Sequence, residues 1–287
     1  MTKLANFFIV GAAKAGTTAI CDMLSQHPEV YCSPVKEPNY FSRDILLQQD
    51  LYYGYQGVES KAEYNACFSK AKSEKIRLEA SVSYFSYPQV AERIKQEVPN
   101  AKILIVLRDP IERAVSHYLM DKRLGFVKVE LETIFNNPKD YNQYFYQYFE
   151  QGTYFERCRQ YASLFDDEHL LVLSYQPDVS QLLGSICSFL SISNRYNFES
   201  QKSNLSMVPK SGFTKAIYQN EKLRKKLKSY MPTSLIMNIQ RRMFTGQRVD
   251  ISEAFRQELE AYFKADLQQL KAYYPLSFLR SRSLAEI

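Results

Sequence analysis

The chain has 287 residues, a length that suits one large α/β domain or two small ones. Apolar residues make up 45% of the sequence and charged residues 24%, a balance typical of a soluble globular protein. No stretch approaches the roughly 20 apolar residues that a membrane span needs, so a transmembrane protein is not expected.

The net charge of +6 comes from one segment. Residues 202–248 hold 11 Lys and Arg and one acidic residue, Glu221. This segment is either a solvated basic helix face or a surface that meets an anionic ligand or, peripherally, a membrane. Nucleic acid is not expected as a partner, because no nucleic-acid-binding motif accompanies the charge.

The five cysteines and three histidines show no metal-binding pattern. The cysteines are odd in number and widely scattered, which indicates reduced thiols in a cytoplasmic protein. The apolar run 7–13 stops at Lys14 and is too short for a secretory signal. We therefore expect a cytoplasmic protein that requires no metal.

The first part of the chain alternates predicted strands and helices. Apolar runs predict strands over 6–11, 75–80 and 101–107, and helical spacing predicts helices over 16–26 and 88–97. The run at 101–107 is apolar throughout, as expected for a parallel strand that is covered on both faces.

The same alternation continues beyond residue 107. Asp109 as N-cap and Pro110 as first helical residue predict a helix start. Further helices are predicted over 154–165, 179–190 and 252–273, a strand over 169–174, and long loops over 136–142 and 200–212. The tyrosine-rich stretch 141–161 is expected to cover a surface or line a cleft rather than form plain core.

This order of elements predicts an α/β fold of three layers, with a central, mostly parallel sheet flanked by helices. We expect a single domain over 1–287, with a core over about 1–192 and a basic, helical C-terminal region over about 193–287.

A phosphate-binding loop is predicted at residues 11–18, GAAKAGTT, between the first strand and the first helix. Backbone amides at such a turn and the positive end of the helix attract an anion. The glycines have the spacing of the nucleotide-triphosphate loop, but Thr17 stands where that loop has its lysine, and Lys14 comes earlier. The displaced lysine predicts an anhydride other than that of ATP.

A second anion contact is predicted at Arg108, which ends the strand 101–107. Ligands of open α/β sheets bind at the carboxyl ends of strands, and a guanidinium can form two parallel hydrogen bonds with a phosphate. The alternative for Arg108 is an ion pair with Asp109 or Glu112. Ser116 lies about two helical turns into the next helix and could add a contact to the same phosphate.

These motifs resemble the sulfotransferases that use 3'-phosphoadenosine 5'-phosphosulfate (PAPS), most of all the bacterial and carbohydrate-type members. The loop GAAKAGTT resembles their 5'-phosphosulfate loop, and LIVLRDPIERAVSHY, residues 104–118, resembles their 3'-phosphate block. The stretches KEPNYF at 36–41 and EASVSYF at 79–85 resemble two further blocks. The resemblance is good over about 6–192 and fades beyond.

The resemblance implies a function, a donor and a product. The protein is expected to transfer a sulfuryl group from PAPS to a hydroxyl or amine of a small-molecule natural product, with PAP as product and no metal. The alternative acceptor is a glycan or glycolipid.

The resemblance also implies roles for residues. Glu37 is the expected general base and Lys14 the group that neutralises the leaving phosphate; for Glu37 the alternative is a surface ion pair with Lys36. The expected cofactor-binding residues are Lys14, Ala15, Gly16, Thr17, Thr18, Arg108, Ser116, Lys210 and Gly212. The acceptor-binding candidates are Lys36, Tyr40, Glu79, Ser83 and His117, and among these Glu79 and His117 are also weaker candidates for the base.

The sequence departs from the family pattern at three points. Ala80 follows Glu79 where some carbohydrate-type relatives have a lysine. The Arg-Lys-Gly loop of cytosolic members is not visible, and residues 203–213 are expected to replace it through Lys210 and Gly212. The cysteine pair of Golgi relatives is missing.

Two other classes stay open at this point. A P-loop kinase would bind ATP with Mg²⁺, and a non-catalytic scaffold would bind a nucleotide without turnover.

Overall fold

The computed structural model describes residues 4–194, 198, 207–209, 244–246 and 251–276. Its main feature is a sheet of five parallel strands. The strands are β1 (Phe7–Gly11), β2 (Val30–Cys32), β3 (Ile76–Ala80), β4 (Lys102–Leu107) and β5 (Leu170–Ser174). A second, antiparallel sheet pairs β6 (Met207–Pro209) with β7 (Phe244–Gly246).

The helices surround this sheet. They are α1 (Thr17–Leu24), α2 (Arg43–Gln49), α3 (Lys61–Ala66), α4 (Pro88–Glu97), α5 (Pro110–Leu124), α6 (Leu131–Asn136), α7 (Asn142–Tyr148), α8 (Phe155–Leu164), α9 (Ser180–Leu190) and α10 (Glu253–Tyr273). In the described ranges, none of them combines the length and the apolar character that crossing a membrane requires.

The strand order is β2-β3-β1-β4-β5, which places β1 and β4 side by side near the middle of the sheet. All five residues of β1 and all but the first of β4 are buried, because helices cover both faces of these strands. The predicted fold, a mostly parallel sheet between layers of helices, is confirmed.

A crevice for a ligand is expected between β1 and β4. The chain leaves β1 toward β2 on one side, and it leaves β4 toward β5 on the other. Such a reversal at the carboxyl ends of parallel strands is where open α/β sheets bind ligands. The loop after β1 and Arg108 after β4 both lie at this edge.

The long predicted elements agree with the structure within two residues at most ends. Asp109 caps α5 as predicted, since its Oδ1 accepts hydrogen bonds from the amides of Ile111 (2.9 Å) and Glu112 (3.1 Å). The helices α2, α3, α6 and α7 were not predicted because six or seven residues give too little periodicity. Part of the predicted loop 136–142 is the turn between α6 and α7.

The expectation that the tyrosines of 141–161 avoid the core is wrong for three of them. Tyr148, Tyr154 and Tyr161 are fully buried. Each hydroxyl has an acceptor inside the protein: the Asp121 carboxylate, the Arg108 carbonyl and the Tyr84 carbonyl, respectively. A buried tyrosine satisfied in this way packs like phenylalanine.

Helix α10 packs on α5 and α8. It buries an apolar stripe of Phe255, Leu259, Phe263, Leu267 and Leu270. Its Asp266 carboxylate accepts hydrogen bonds from the amides of Tyr154 (2.8 Å) and Phe155 (3.0 Å) and so helps to hold the start of α8. The C-terminal helix therefore contributes to the core that supports β4 and α5.

Candidate active site

The loop between β1 and α1 is tied to β4 by the amide of Ala12, which donates to the carbonyl of Val106 at 2.8 Å. Gly16 is the N-cap residue of α1 and has φ +79°, a left-handed conformation that favours glycine. No side chain caps this end of α1. The first amides of the helix, at Gly16, Thr17 and Thr18, therefore lack intrahelical acceptors and suit an anion.

Close packing is a second reason why position 16 favours glycine. A Cβ atom there would lie 2.9 Å from Cε2 of Tyr175 and 3.2 Å from Cγ1 of Val179. The segment after β5 thus presses against the loop and holds its shape.

Lys14 lies in the middle of the loop with φ +70°. Its Nζ contacts Sδ of Met120 on α5 at 3.3 Å. Burial, together with the nearby cations Arg123, Arg108 and Lys36, lowers the pKa of Lys14 to about 8, against the opposing effect of the Asp121 charge. Lys14 therefore faces a partly enclosed, positively charged region into which an anion would fit.

Arg108 stands beside Lys14, as predicted from its place after β4. Its Nη1 donates to the carbonyl of Lys14 at 3.2 Å, and its guanidinium lies 5.0 Å from the ring centre of Tyr175. The alternative ion pair with Glu112 is long, at 3.9 Å, and Glu112 also lies 3.7 Å from Arg256. With 22% of its side chain exposed, Arg108 remains accessible to a ligand.

Glu37 is half-buried in the loop after β2, with φ +54°. Burial raises the pKa of Glu37, and the charges of Lys36 and Lys14 oppose the rise. Lys36 is exposed. The structure therefore brings the predicted base close enough to Lys14 for their charges to interact. A carboxylate with a raised pKa is also better suited to accept a proton.

Several acceptor-binding candidates already have partners within the protein. Glu79 is 1% exposed and accepts hydrogen bonds from Tyr64 (2.5 Å) and Ser81 (2.9 Å). Burial raises its pKa to about 6. The carboxylate is enclosed in the core, and contact of Glu79 with an acceptor stays a prediction.

His117, Ser83 and Tyr40 are similarly engaged. His117 is buried on α5, and burial together with Arg113 holds its pKa well below the ordinary value, so it is neutral and enclosed. The hydroxyl of Ser83 bonds Ser42 (2.8 Å) and Asn39, and Tyr40 stacks on Tyr64 with ring centres 4.5 Å apart. These contacts give His117 and Ser83 structural roles.

Four predicted cofactor residues remain, of which two lie among the described residues. Ala15 is buried in the loop, with its amide bonded to the carbonyl of Ala12 at 3.2 Å. Ser116 is half-buried on α5. Lys210 and Gly212 lie outside the described residues.

The sequence interpretation missed a cluster around Asp121 on α5. The carboxylate is 1% exposed and accepts hydrogen bonds from the hydroxyls of Tyr52 and Tyr148, the latter at 2.8 Å. Tyr53, beside Tyr52, has its pKa raised by burial and by the negative charges of Asp121 and Glu37. The segment that follows α2 therefore forms part of the wall near Lys14. No local sequence signal marked Asp121, because Lys122 and Arg123 follow it and make it look like part of an exposed charged turn.

Two cysteines that are eleven residues apart also meet beside the loop. Sγ of Cys21, on α1, lies 3.3 Å from Sγ of Cys32, at the end of β2. Both are free thiols with intermediate exposure. Among the described residues, no group of three or more His, Cys, Asp or Glu side chains could hold a metal ion.

Comparison with known proteins establishes the family. The family model of the sulfotransferase domain matches residues 4–270. The chain therefore belongs to the sulfotransferase family, as the motifs of its first 192 residues had indicated.

Three relatives illustrate the similarity. The chain is 26% identical over 221 residues to the mouse bifunctional heparan sulfate N-deacetylase/N-sulfotransferase 4, which covers 73% of this chain and 24% of the relative. A sulfotransferase from Alicyclobacillus acidocaldarius has 25% identity and a TM-score of 0.71, covering 97% of this chain and 99% of that one. A mouse sulfotransferase solved with PAP has 13% identity and a TM-score of 0.51, covering 98% and 88%, a likeness of fold alone. The chain spans about a quarter of the length of the first curated relatives it matches.

Proposed function

We propose that this protein transfers a sulfuryl group from PAPS to a hydroxyl or amine. The observation that carries the proposal is the meeting of two anion-binding groups at one sheet edge. The loop around Lys14 follows β1, and Arg108 follows the neighbouring β4, with 3.2 Å between its Nη1 and the Lys14 carbonyl. A nucleotide with anionic groups at both its 5' and 3' positions matches this pair of sites.

The loop side of the site suits the 5' end of PAPS. The amides at the start of α1, the hydroxyls of Thr17 and Thr18, and the Lys14 ammonium are the donors. Arg108 and Ser116 are the donors for the 3'-phosphate, since a guanidinium can bind phosphate through two parallel hydrogen bonds. This donor set fits the charges of the nucleotide.

The transfer step needs charge neutralisation and removal of a proton. When bound, PAPS supplies the activated sulfuryl group. Lys14 neutralises the negative charge that develops on the oxygen of the departing phosphate. Glu37 takes the proton of the acceptor, a role that its raised pKa favours. The protein's task is therefore mostly alignment and electrostatic stabilisation.

The acceptor expected from the sequence is a small-molecule natural product. A saccharide is the second candidate, and the heparan sulfate N-sulfotransferase among the relatives supports it. The tyrosines near Glu37, among them Tyr53, offer aromatic surface that suits either a sugar ring or an aromatic acceptor.

Thermal unfolding with PAP, PAPS and ATP–Mg²⁺ tests the donor. A ligand at 100 times its dissociation constant adds about 2.7 kcal/mol to the free energy of unfolding. PAP without added metal should stabilise the wild type, and equally the control Lys128→Ala, which changes an exposed lysine. It should stabilise Lys14→Ala and Arg108→Ala less. Stabilisation by ATP–Mg²⁺ alone would instead indicate a kinase. Stabilisation by PAP without transfer to any acceptor would favour the scaffold.

A further inference from the structure

The carboxylate of Asp121 is buried on α5, one residue after the Met120 side chain that Lys14 contacts. The carboxylate contacts the hydroxyls of Tyr52 and Tyr148 and lies 3.9 Å from Nε2 of His117. His117 is neutral because its pKa lies well below the ordinary value. Asp121 is thus a buried anion held by neutral partners, an arrangement that costs free energy unless a cation is near.

The nearby cation is Lys14. The charge of Asp121 raises the pKa of Lys14, and the charge of Lys14 lowers the pKa of Asp121, whereas burial raises it. The two groups belong to different elements, the loop after β1 and helix α5. Their interaction therefore depends on how α5 sits against the loop.

The other charges around Lys14 mostly act against its protonation. Arg123 on α5, Arg108 after β4 and Lys36 after β2 all lower the pKa of Lys14. Glu37 is the second negative group that interacts with Lys14. Removing the negative charge of Asp121 would therefore lower the pKa of Lys14 further in the ligand-free protein.

We propose that Asp121, held by Tyr52 and Tyr148, is a positioning residue that keeps Lys14 charged and ready for the anionic donor. The role of Asp121 in sulfuryl transfer rests on the proposed function, whereas the effect of Asp121 on the charge of Lys14 does not. Tyr52 and Tyr148 both donate to Oδ2 of Asp121, so the orientation of the carboxylate is set before any ligand arrives.

The direct test is the titration of Lys14 in the ligand-free protein. The rate at which an amine-reactive anhydride labels Lys14 is followed against pH by peptide mass spectrometry. The wild type should give a midpoint near pH 8, since burial and the neighbouring cations lower the pKa of Lys14 to about 8. Asp121→Asn keeps oxygen and shape for Tyr52 and Tyr148 but removes the charge, and should lower the midpoint by about one pH unit or more.

The variant Arg123→Gln should shift the labelling midpoint of Lys14 in the opposite direction. It removes a repelling charge from the same helix turn and should raise the midpoint of Lys14. The exposed control Asp140→Asn should leave the midpoint unchanged. If Asp121→Asn does not move the midpoint, or if it and Arg123→Gln move it in the same direction, the inference is overturned. General loosening of the fold would move both variants alike, and thermal unfolding shows whether each variant is folded.

PAP binding then tests the functional part separately. Asp121→Asn should bind PAP nearly as well as the wild type at pH 6, where Lys14 is protonated in both. At pH 8–9 it should bind more weakly, by up to about tenfold for each pH unit by which the midpoint has moved. A loss that is equal at all pH values would contradict the proposed role. If wild-type protein does not bind PAP at all, the proposed function fails while the labelling result still stands.

Discussion

Replacing Arg108 by alanine tests the two-anion site most specifically. Arg108 is the expected ligand of the 3'-phosphate, and its Nη1 also donates to the carbonyl of Lys14 in the phosphate loop. Arg108→Ala could therefore weaken PAP binding in two ways: through the lost phosphate contact, or through a disturbed loop. The comparison of two nucleotides separates these effects.

The magnitude follows from the contact that is lost. A hydrogen bond to a charged group contributes about 1.5–3 kcal/mol, and about 1.4 kcal/mol corresponds to a tenfold change in affinity. Arg108→Ala should therefore weaken PAP binding by roughly 10- to 150-fold. Adenosine 5'-phosphate lacks the 3'-phosphate. In Arg108→Ala its affinity should therefore fall only as far as the loss of the Arg108 hydrogen bond disturbs the phosphate loop.

Isothermal titration of both nucleotides to wild type, Arg108→Ala and Arg108→Lys measures this difference. Arg108→Lys keeps the charge but not the planar fork of donors, so its PAP affinity should be intermediate. Equal losses for PAP and adenosine 5'-phosphate would show that Arg108 only supports the loop. No loss for either would show that Arg108 serves the pair with Glu112 instead.

Three further outcomes are expected. Glu37→Gln should lower kcat for sulfuryl transfer by about 10²- to 10⁴-fold with little change in PAP affinity, whereas the exposed control Glu132→Gln should not; equal kcat values would exclude Glu37 as the base. Gly16→Ala should lower the free energy of unfolding by about 1–2 kcal/mol or more, because of its positive φ and the 2.9 Å approach to Tyr175. The control Gly184→Ala, in helix α9 with open space around the new Cβ, should be neutral or stabilising in the same denaturant titration. Treatment with hydrogen peroxide, which accepts the two electrons and protons, should link Cys21 and Cys32 in a disulfide detectable by peptide mass spectrometry; recovery of both as unlinked thiols would contradict the 3.3 Å contact.

Four strands of the parallel sheet and the phosphate loop could be predicted because their determinants are local. The three-residue strands β2 and β6 could not, and β6 lies within the predicted loop 200–212. The apolar run of β4 and the Asp109–Pro110 helix start depend on residues next to each other in the chain. The proximity of the loop to Arg108 followed from a general property of parallel sheets, whose carboxyl ends share one edge.

The Asp121 cluster and the Cys21–Cys32 contact could not be predicted in this way. Tyr52 and Asp121 are 69 positions apart, and their meeting depends on how the segment after α2 packs on α5. The burial of Tyr148 depends likewise on α5 and α7 packing together. A tyrosine side chain can face either the core or the solvent, because it has an apolar ring and a polar hydroxyl, and only tertiary packing decides between the two.

Transfer of ³⁵S from labelled PAPS to a panel of small hydroxyl and amine compounds and saccharides, with a chelator in place of added metal, tests the central claim most directly. The account predicts that wild-type protein moves the label to at least one acceptor and releases PAP in equal amount, and that Lys14→Ala and Glu37→Gln do so far more slowly. Label that stays on PAPS with every acceptor, while ATP–Mg²⁺ is consumed in a parallel assay without chelator, would contradict a sulfotransferase and indicate a kinase.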